Sequence, residues 1–414
     1  MKLNGAEILV ECLLEQGADT VFGYPGGAVL NIYDALYKNS DRIRHIITAH
    51  EQGACHAADG YSRSTKKTGV VIATSGPGAT NLVTGIATAF MDSIPLVAIT
   101  GNVATSLLGL DSFQEVDITG ITMPVTKHNY IVKDVTKLAE TIRNAFYIAN
   151  EGRKGPVLID IPKDITAAHC EYKPKKPDEI PLVLSDNIDE QIEKAAELIL
   201  KCDKPFIYAG GGVVSCNAAD ELKSFAQLID SPVSLSLMGQ CAFDNFDPLY
   251  VGMLGMHGTK ASSLVIGECD LMIVIGSRFS DRVTCDTKTF AKNTSIIHID
   301  IDPAEINKNV CAEHNIVGDI SYILSKLNGM IKKQKHEKWL EQVFSWKREF
   351  PLLQVGSYAE EVLPQYVIET LCELTNGEAI ISTEVGQHQM WAAQYYCFKN
   401  ERSFVSSGGL GTMG

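Results

Sequence analysis

Three groups of residues in this 414-residue chain have the types and spacing that chemistry requires. The first centres on Glu51, in the string AHEQGACHAADGYSR, where it opens a helical stretch directly after an extended one. A carboxylate in a helix's first turn is favoured by the dipole and needs no function to explain it. Here, though, Gly53, Ala54, Ala57, Ala58 and Gly60 keep the surrounding helix surface small, so a ligand or a partner can approach closely. The second group is Arg278 and Arg282 in GSRFSDRVT, four residues apart, beyond a strand end and next to a glycine. Two guanidinium groups that close in an acidic chain suit a carboxylate or phosphate; the bland alternative for Arg282 is a solvated ion pair with Asp281. The third is HIDIDPAEI, residues 298–306, where Asp300 sits at a strand end, the place from which nucleotide-binding α/β domains hold ribose hydroxyls.

Glycine-bearing turns accompany these groups. FGYPGGAVL (22–30) contains Pro25, Gly26 and Gly27; TSGPGATN (74–81) contains Pro77 and Asn81; GMLGMHGTK (252–260) contains Met256, His257 and Gly258. GQHQMW supplies Gly386, Gln387 and His388, and the final SSGGLGTMG supplies Gly411 and Met413. TSGPGATN has neither the GxGxxG spacing of a dinucleotide loop nor the GK[ST] of a P-loop, so phosphate binding there is disfavoured. SFQEVD (112–117) puts Phe113 and Gln114 on a loop, although an aromatic residue in such a place is more often core.

The elements that must position these residues follow an α/β rhythm. Helical spacing of apolar residues over 6–16, capped by Gly17, precedes short β-branched runs at 20–22, 43–48, 69–74, 95–100 and 157–161. Most are followed by Gly, Pro or Ser before a helix, which predicts a parallel, doubly wound sheet. Residues 171–187, with three prolines and mixed charge, read as a linker that closes a first domain over 1–170. Strands at 205–209, 271–276 and 295–301 define a second domain over 188–330, and a lysine-rich helical stretch over 325–350 runs into a second linker at 331–360. A third start at 361–414 has a helix at 366–375 and a strand at 379–383, then stops on a glycine-rich loop. The expected fold is therefore α/β, with three doubly wound parallel-sheet domains of which the third is incomplete. A loop with no element after it argues for truncation.

Composition narrows the partners. The net charge of −14 disfavours nucleic acid and anionic membranes. Eleven cysteines without a CxxC pair read as reduced thiols in a cytoplasmic protein. No apolar run is long enough to cross a bilayer.

Taken in order, YPGG, HEQGA, TSGPGATN, FQE, GPVLIDIPKD, GMHG, the RF and DRV strings, GQHQMW and GGLGTMG resemble the catalytic subunits of the acetohydroxyacid (acetolactate) synthase family across essentially the whole chain. The resemblance implies a pyrimidine-binding, a central FAD-binding and a diphosphate-binding domain. It also implies thiamin diphosphate, Mg²⁺ and FAD as cofactors, with pyruvate and 2-oxobutyrate as substrates. The family's active site lies between two subunits, which implies a homodimer or tetramer, and a small regulatory subunit is a further partner of the family.

Position by position, the resemblance makes Glu51 the activating acid/base, with Gly27 and Gln114 beside the reacting centre. Pro25, Pro77 and Asn81 then border the cofactor's rings; Gly386, Gln387 and His388 its diphosphate; Gly411 and Met413 its bent conformation. Arg153, His257, Gly258, Ser277, Arg278 and Asp300 line FAD, while Phe113, Lys163, Met256 and Arg282 shape the substrate entrance. Ser280 and Cys285 depart from the acidic residue and glycine common in the family. The family's metal motif would lie beyond Gly414, so no metal ligand is assigned and the chain alone is expected to be inactive. The rival readings are another thiamin-diphosphate oxoacid decarboxylase or pyruvate oxidase, and a non-catalytic fragment.

Overall fold

The computed structural model describes residues 1–352 and 362–413, which form two compact units: Met1–Pro181 joined by Ser407–Thr412, and Leu182–Ser406 with Met413. The break at 181/182 falls inside the expected 171–187 linker.

Unit 1 is built on a six-stranded parallel sheet in the order Arg44–Ile47, Thr20–Gly23, Gly69–Ala73, Leu96–Asn102, Pro156–Pro162, His128–Ile131. Side chains alternate across a strand, so a sheet covered by helices on both faces needs apolar residues at every position. Gly69–Ala73 shows this: Val70 and Ile72 enter one core with Leu9 and Ile142, Val71 and Ala73 the other with Ala58 and Ile86. A short antiparallel pair, Lys2–Asn4 with His169–Glu171, ties the start of the chain to the end of the domain.

Unit 2 holds a second six-stranded parallel sheet, ordered Tyr250–Met253, Val233–Leu235, Pro205–Ala209, Leu271–Ile275, Ser295–Asp300, His314–Val317. A third sheet is one parallel pair, Ile381–Ser382 with Phe404–Val405, flanked by helices Pro364–Thr375 and Gln387–Tyr395. Its Tyr396, Phe398 and Phe404 share a core with Cys241 and Met253.

The expected strands are present, within one or two residues at their ends except at 379–383, where only Ile381–Ser382 is extended. Strands His128–Ile131, Val233–Leu235, Tyr250–Met253 and His314–Val317 were not expected; all are short, and three of them lie at the outer edges of the sheets. The single helix expected over 325–350 is two, Ile320–Met330 and Glu337–Glu349. The cluster of Lys332, Lys333 and Lys335 interrupts the apolar periodicity between them, and the His336 amide is bonded to Asp230 instead, at 2.8 Å. The second of these helices, expected within a linker, packs on the unit-2 core through Trp339, Leu340 and Val343, with Trp339 Nε1 donating to the Pro205 carbonyl at 2.9 Å. Residues 353–361 of the expected linker and third domain lie outside the described residues.

Candidate active site

In an open parallel sheet, ligands bind beyond the carboxyl ends of the strands where the winding direction reverses. In unit 1 that reversal lies between Thr20–Gly23 and Gly69–Ala73. The turns that leave these two strands are FGYPGGAVL and TSGPGATN, and the structure joins them: Thr74 Oγ1 accepts the Ala28 amide at 3.2 Å. A Cβ on Gly26 would lie 2.5 Å from the Thr74 side chain, so glycine is required there by packing. At Gly27 nothing stands within 4 Å of a Cβ position, which leaves space on the exposed side of the turn.

Glu51 begins the helix Glu51–Thr65 on the neighbouring strand's carboxyl end, with His50 as its N-cap through Nδ1 and the Gln52 amide at 3.1 Å. Its Oε2 accepts from Asn81 Nδ2 at 2.9 Å, and a Cβ on Gly78 would come within 3.4 Å of Oε1. Tyr33 lies close by, its hydroxyl pushed up first by burial and then by the Glu51 charge. The SFQEVD loop reaches the same edge: Gln114, at φ 59°, lays its backbone against Gly76, also at φ 59°, where a Cβ would be 2.8 Å from the Gln114 carbonyl oxygen. Phe113 beside it is 88% exposed, so the core reading of this aromatic does not hold. Pro77 is the exposed first residue of the turn Pro77–Thr80, and Lys163 is exposed at the end of Pro156–Pro162. Glu51, Asn81, Gly26, Gly27, Pro25, Pro77, Gln114 and Lys163 thus gather at one sheet edge. Arg153 does not join them: it lies before Pro156, at the opposite edge, donating to Ser93 Oγ at 2.8 Å.

Unit 2 reverses between Pro205–Ala209 and Leu271–Ile275, the order of a dinucleotide-binding sheet. The turns leaving these strands cross at glycines: Gly276 has φ 57°, and a Cβ on Gly212 would lie 2.7 Å from its Cα. Ser277 is buried at the crossing, its carbonyl 3.2 Å from His298 Nε2; burial lowers that imidazole's pKa, and the bond to Ser277 opposes it. Asp300 ends the adjacent strand, nearly buried, and accepts the Asp302 amide at 2.9 Å. Ser234 Oγ, Gln240 Nε2 and His298 Nδ1 are buried polar atoms without a protein partner. Arg278 is half-buried. Arg282 is exposed and meets Asp281 at 3.8 Å, the weak surface pair that its bland reading anticipates. Met256 lies beside it, its amide bonded to the Arg282 carbonyl at 2.8 Å and its sulfur 3.8 Å from Nη1. Gly258 is fitted against the turn at Gly255, and the His257 carbonyl accepts Gln394 Nε2 at 2.8 Å.

Gln387 and His388 are exposed in the first turn of Gln387–Tyr395, whose N-cap is Gly386; the Glu384 carboxylate stands at the same helix start, 3.2 Å from His388 Nε2 and accepting the Val385 amide at 2.9 Å. Gly411, at φ 73°, belongs to the loop Ser407–Thr412 of unit 1, and Met413 is 74% exposed. Among the described residues no group of three or more His, Cys, Asp or Glu side chains could hold a metal ion, and no helix is long and apolar enough to cross a membrane.

Sequence reasoning missed His50, Thr74 and Tyr33. His50 and Thr74 were within quoted strings, but a capping imidazole and a loop-bridging hydroxyl have no spacing of their own. Tyr33 was inside a helix and carried no signal.

Three profiles of the thiamine pyrophosphate enzymes match the chain: the N-terminal TPP binding domain at residues 3–121, the central domain at 192–327 and the C-terminal TPP binding domain at 384–414. The acetolactate synthase large subunit of Buchnera aphidicola is 47% identical over 420 residues, covering 100% of this chain and 73% of the relative. That of Corynebacterium glutamicum is 47% identical over 420 residues, covering 100% and 67%. That of Haemophilus influenzae is 43% identical over 423 residues, covering 100% and 74%.

The chain belongs to the acetolactate synthase large-subunit family.

Within that family the match accounts for both reversal points at once: the edge carrying Glu51 lies in the N-terminal TPP binding domain, and the Gly212–Gly276 crossing lies in the central domain. The C-terminal match contains Gln387, His388 and Gly411. The chain spans about three quarters of the length of the Buchnera and Haemophilus relatives.

Proposed function

We propose that the chain supplies most of the site for the family's reaction: decarboxylation of pyruvate and transfer of the remaining two-carbon unit to a second 2-oxoacid, giving acetolactate or acetohydroxybutyrate, the first step of branched-chain amino-acid biosynthesis. The observation that carries this is Glu51, held by Asn81 at 2.9 Å among glycine turns at the reversal point of unit 1.

Thiamin diphosphate, when bound, supplies a thiazolium carbon that can add to the keto group of pyruvate. The protein's part is proton handling and placement. Glu51 would face the aminopyrimidine ring and share a proton with it; Asn81 fixes the carboxylate's orientation, and Gly27 would leave room for the ring and the substrate. Gln114 and Phe113 close over this edge, and Lys163 stands at its rim. Gln387, His388 and Gly386 would hold the diphosphate, and Gly411 and Met413 would contact the cofactor. Arg282, with Met256 beside it, binds the acceptor's carboxylate, since guanidinium matches carboxylate geometry.

FAD fits unit 2. The glycine crossing allows close backbone approach; Ser234, Gln240 and His298 keep buried polar atoms unbonded by protein; and Asp300 stands where a ribose would be held. His257, Gly258, Ser277 and Arg278 complete that surface; Arg153, which the resemblance also assigns to FAD, lies in unit 1 and donates to Ser93 Oγ. Mg²⁺ has no ligand set among the described residues, so no step is routed through it.

The family's active site lies between two subunits, and on that resemblance the chain acts as a homodimer or tetramer, with a small regulatory subunit as additional partner. The eleven free cysteines support a reducing, cytoplasmic setting.

The test is to incubate labelled pyruvate with thiamin diphosphate, Mg²⁺ and FAD, using the chain alone and the chain joined to the C-terminal remainder of a relative, and to identify products by NMR. Acetolactate from the joined chain, with negligible turnover by the chain alone, is the expected result. Acetaldehyde, acetate or acetyl phosphate would move the protein to the decarboxylase or oxidase branch.

A further inference from the structure

Beneath the far end of the Glu51 helix, three charged side chains are buried together. Arg63 donates from Nε to Asp59 Oδ2 at 2.7 Å and from Nη2 to Asp92 Oδ2 at 2.9 Å, with side-chain exposures of 5%, 7% and 0% for Arg63, Asp59 and Asp92. Burial works against the guanidinium's charge, but the two carboxylates outweigh it and hold the proton more tightly than usual. Such a cluster is expensive to desolvate and persists only where its remaining lone pairs are also satisfied.

Asp92 shows what satisfies them. Its Oδ1 accepts the Gly409 amide at 2.7 Å and its Oδ2 the Gly408 amide at 3.0 Å. One carboxylate thus receives a guanidinium and two consecutive backbone amides of the terminal glycine-rich loop. The fit is specific to glycine: a Cβ on Gly409 would lie 2.9 Å from both Asp92 Oδ1 and Met91 Cβ. One helical turn earlier, the Thr88 and Thr412 hydroxyls are 2.7 Å apart, and Ser407 Oγ accepts the Thr412 amide at 3.1 Å. Gly411 is treated differently. Its φ is 73° and nothing lies within 4 Å of a Cβ position, so it is the loop's open apex between two fixed ends.

A buried ion pair that served only stability would need no loop. Within the helix Asp59 already accepts from Arg63 Nε and Nη2, whereas Asp92 also binds backbone that comes from more than 300 residues later in sequence. The geometry points to Asp92 as a positioning residue for the cofactor loop: Arg63 fixes the carboxylate, the carboxylate fixes Gly408 and Gly409, and Gly411 is thereby presented in one conformation. The inference rests on the proposed role of Gly411 toward thiamin diphosphate.

Amide hydrogen exchange read by mass spectrometry tests it on the 414-residue chain, with and without millimolar thiamin diphosphate and Mg²⁺. In Asp92→Ala the peptide covering 404–413 exchanges about tenfold faster than wild type, the effect expected when hydrogen bonds to a charged group are lost. The cofactor concentration needed to slow that peptide rises by a similar factor, while exchange in the strand Leu96–Asn102 stays at the wild-type rate. Asp92→Asn keeps one acceptor oxygen and recovers part of both effects, and it serves if the alanine variant does not fold. A loop that responds to the cofactor but not to either Asp92 variant overturns this inference alone. A loop that depends on Asp92 yet is indifferent to thiamin diphosphate overturns the cofactor role of Gly411, and the inference with it.

Discussion

Unit 1 and unit 2 each wind a six-stranded parallel sheet that reverses direction near its middle, and each places glycine turns at the reversal. In unit 1 the turns bring a carboxylate and a carboxamide face to face, Glu51 with Asn81, and leave open space at Gly27. In unit 2 the turns at Gly212 and Gly276 press against each other with no room for a side chain, and arginines stand outside on the Ser277–Thr284 stretch. The backbone architecture is nearly the same, so the difference in chemistry lies in what the loops carry. Glycine has opposite surroundings at the two places: at Gly276 it is demanded by packing, whereas at Gly27 it borders open space.

The largest test of this contrast is Glu51→Gln in the active holoenzyme. The amide keeps an oxygen that can accept from Asn81, so the fold and thermal midpoint are retained while the shared proton is lost. Turnover should fall by roughly 10²- to 10⁴-fold, the usual worth of a positioned acid/base. A fall of less than tenfold, measured as acetolactate formed per minute, would remove Glu51 from the chemistry and dissolve the contrast between the units.

The second concerns a group that the proposed mechanism leaves unused. Asp160 is buried on Pro156–Pro162 and accepts from Thr100 Oγ1 at 2.7 Å and Asn102 Nδ2 at 2.5 Å. Burial pushes its carboxyl up from 3.8 to about 6; the two hydrogen bonds oppose this and the Asp117 charge adds to it. Because the folded state holds the proton more tightly than the unfolded chain, stability from this group is present below about pH 4 and is lost as pH rises to about 6. A shift of that size corresponds to something on the order of 3 kcal/mol. Urea midpoints of wild type and Asp160→Asn should therefore diverge between those pH values and run parallel above them. Parallel curves throughout would show that Asp160 titrates as an ordinary carboxylate.

What was legible in the sequence divides along the same line. Strands such as Gly69–Ala73 and Leu271–Ile275 are apolar at every position because both faces are covered, and that signal survives without a structure. The short strands Val233–Leu235 and His314–Val317 lack it, being three and four residues long and mixed with polar residues. Site residues in glycine-rich strings, Glu51 and Gly276 among them, were visible because their neighbours are unusual. Asp92 was not: an aspartate at a helix's end signals nothing, and its partners Gly408 and Gly409 come from the other end of the chain. Long-range pairing of this kind has no local signature.

The third prediction compares the two kinds of glycine directly. Gly276→Ala must adopt φ near 57° and set a Cβ 2.8 Å from the Gly212 backbone, so it should cost on the order of 1–3 kcal/mol in urea unfolding. Gly27→Ala meets no atom within 4 Å and should leave the unfolding midpoint within about 0.5 kcal/mol of wild type, yet lower activity. Equal destabilisation by both would mean that the turn at Gly27 is also shaped by packing.

The smallest effect expected is at Arg282, and it decides whether the loops of unit 2 take part in choosing the substrate. Arg282 is exposed, and its pair with Asp281 at 3.8 Å is long and solvated, so little stability is stored there. Asp281→Asn should accordingly leave both the unfolding midpoint and the product ratio near wild type. Arg282→Ala should also fold normally: its carbonyl receives the Met256 amide whatever the side chain is, and its side-chain contacts with Asp281 and the Met256 sulfur, each 3.8 Å, are exposed and weak. What it removes is a guanidinium free to grip a second carboxylate. Release of carbon dioxide from the first pyruvate should persist, while the ratio of acetohydroxybutyrate to acetolactate, measured with 2-oxobutyrate and pyruvate in competition, shifts about tenfold, the scale of one charge-assisted hydrogen bond. Equal loss of carbon dioxide release and of ligation would place Arg282 in the first step as well, and the separation of chemistry in unit 1 from acceptor choice in unit 2 would fail.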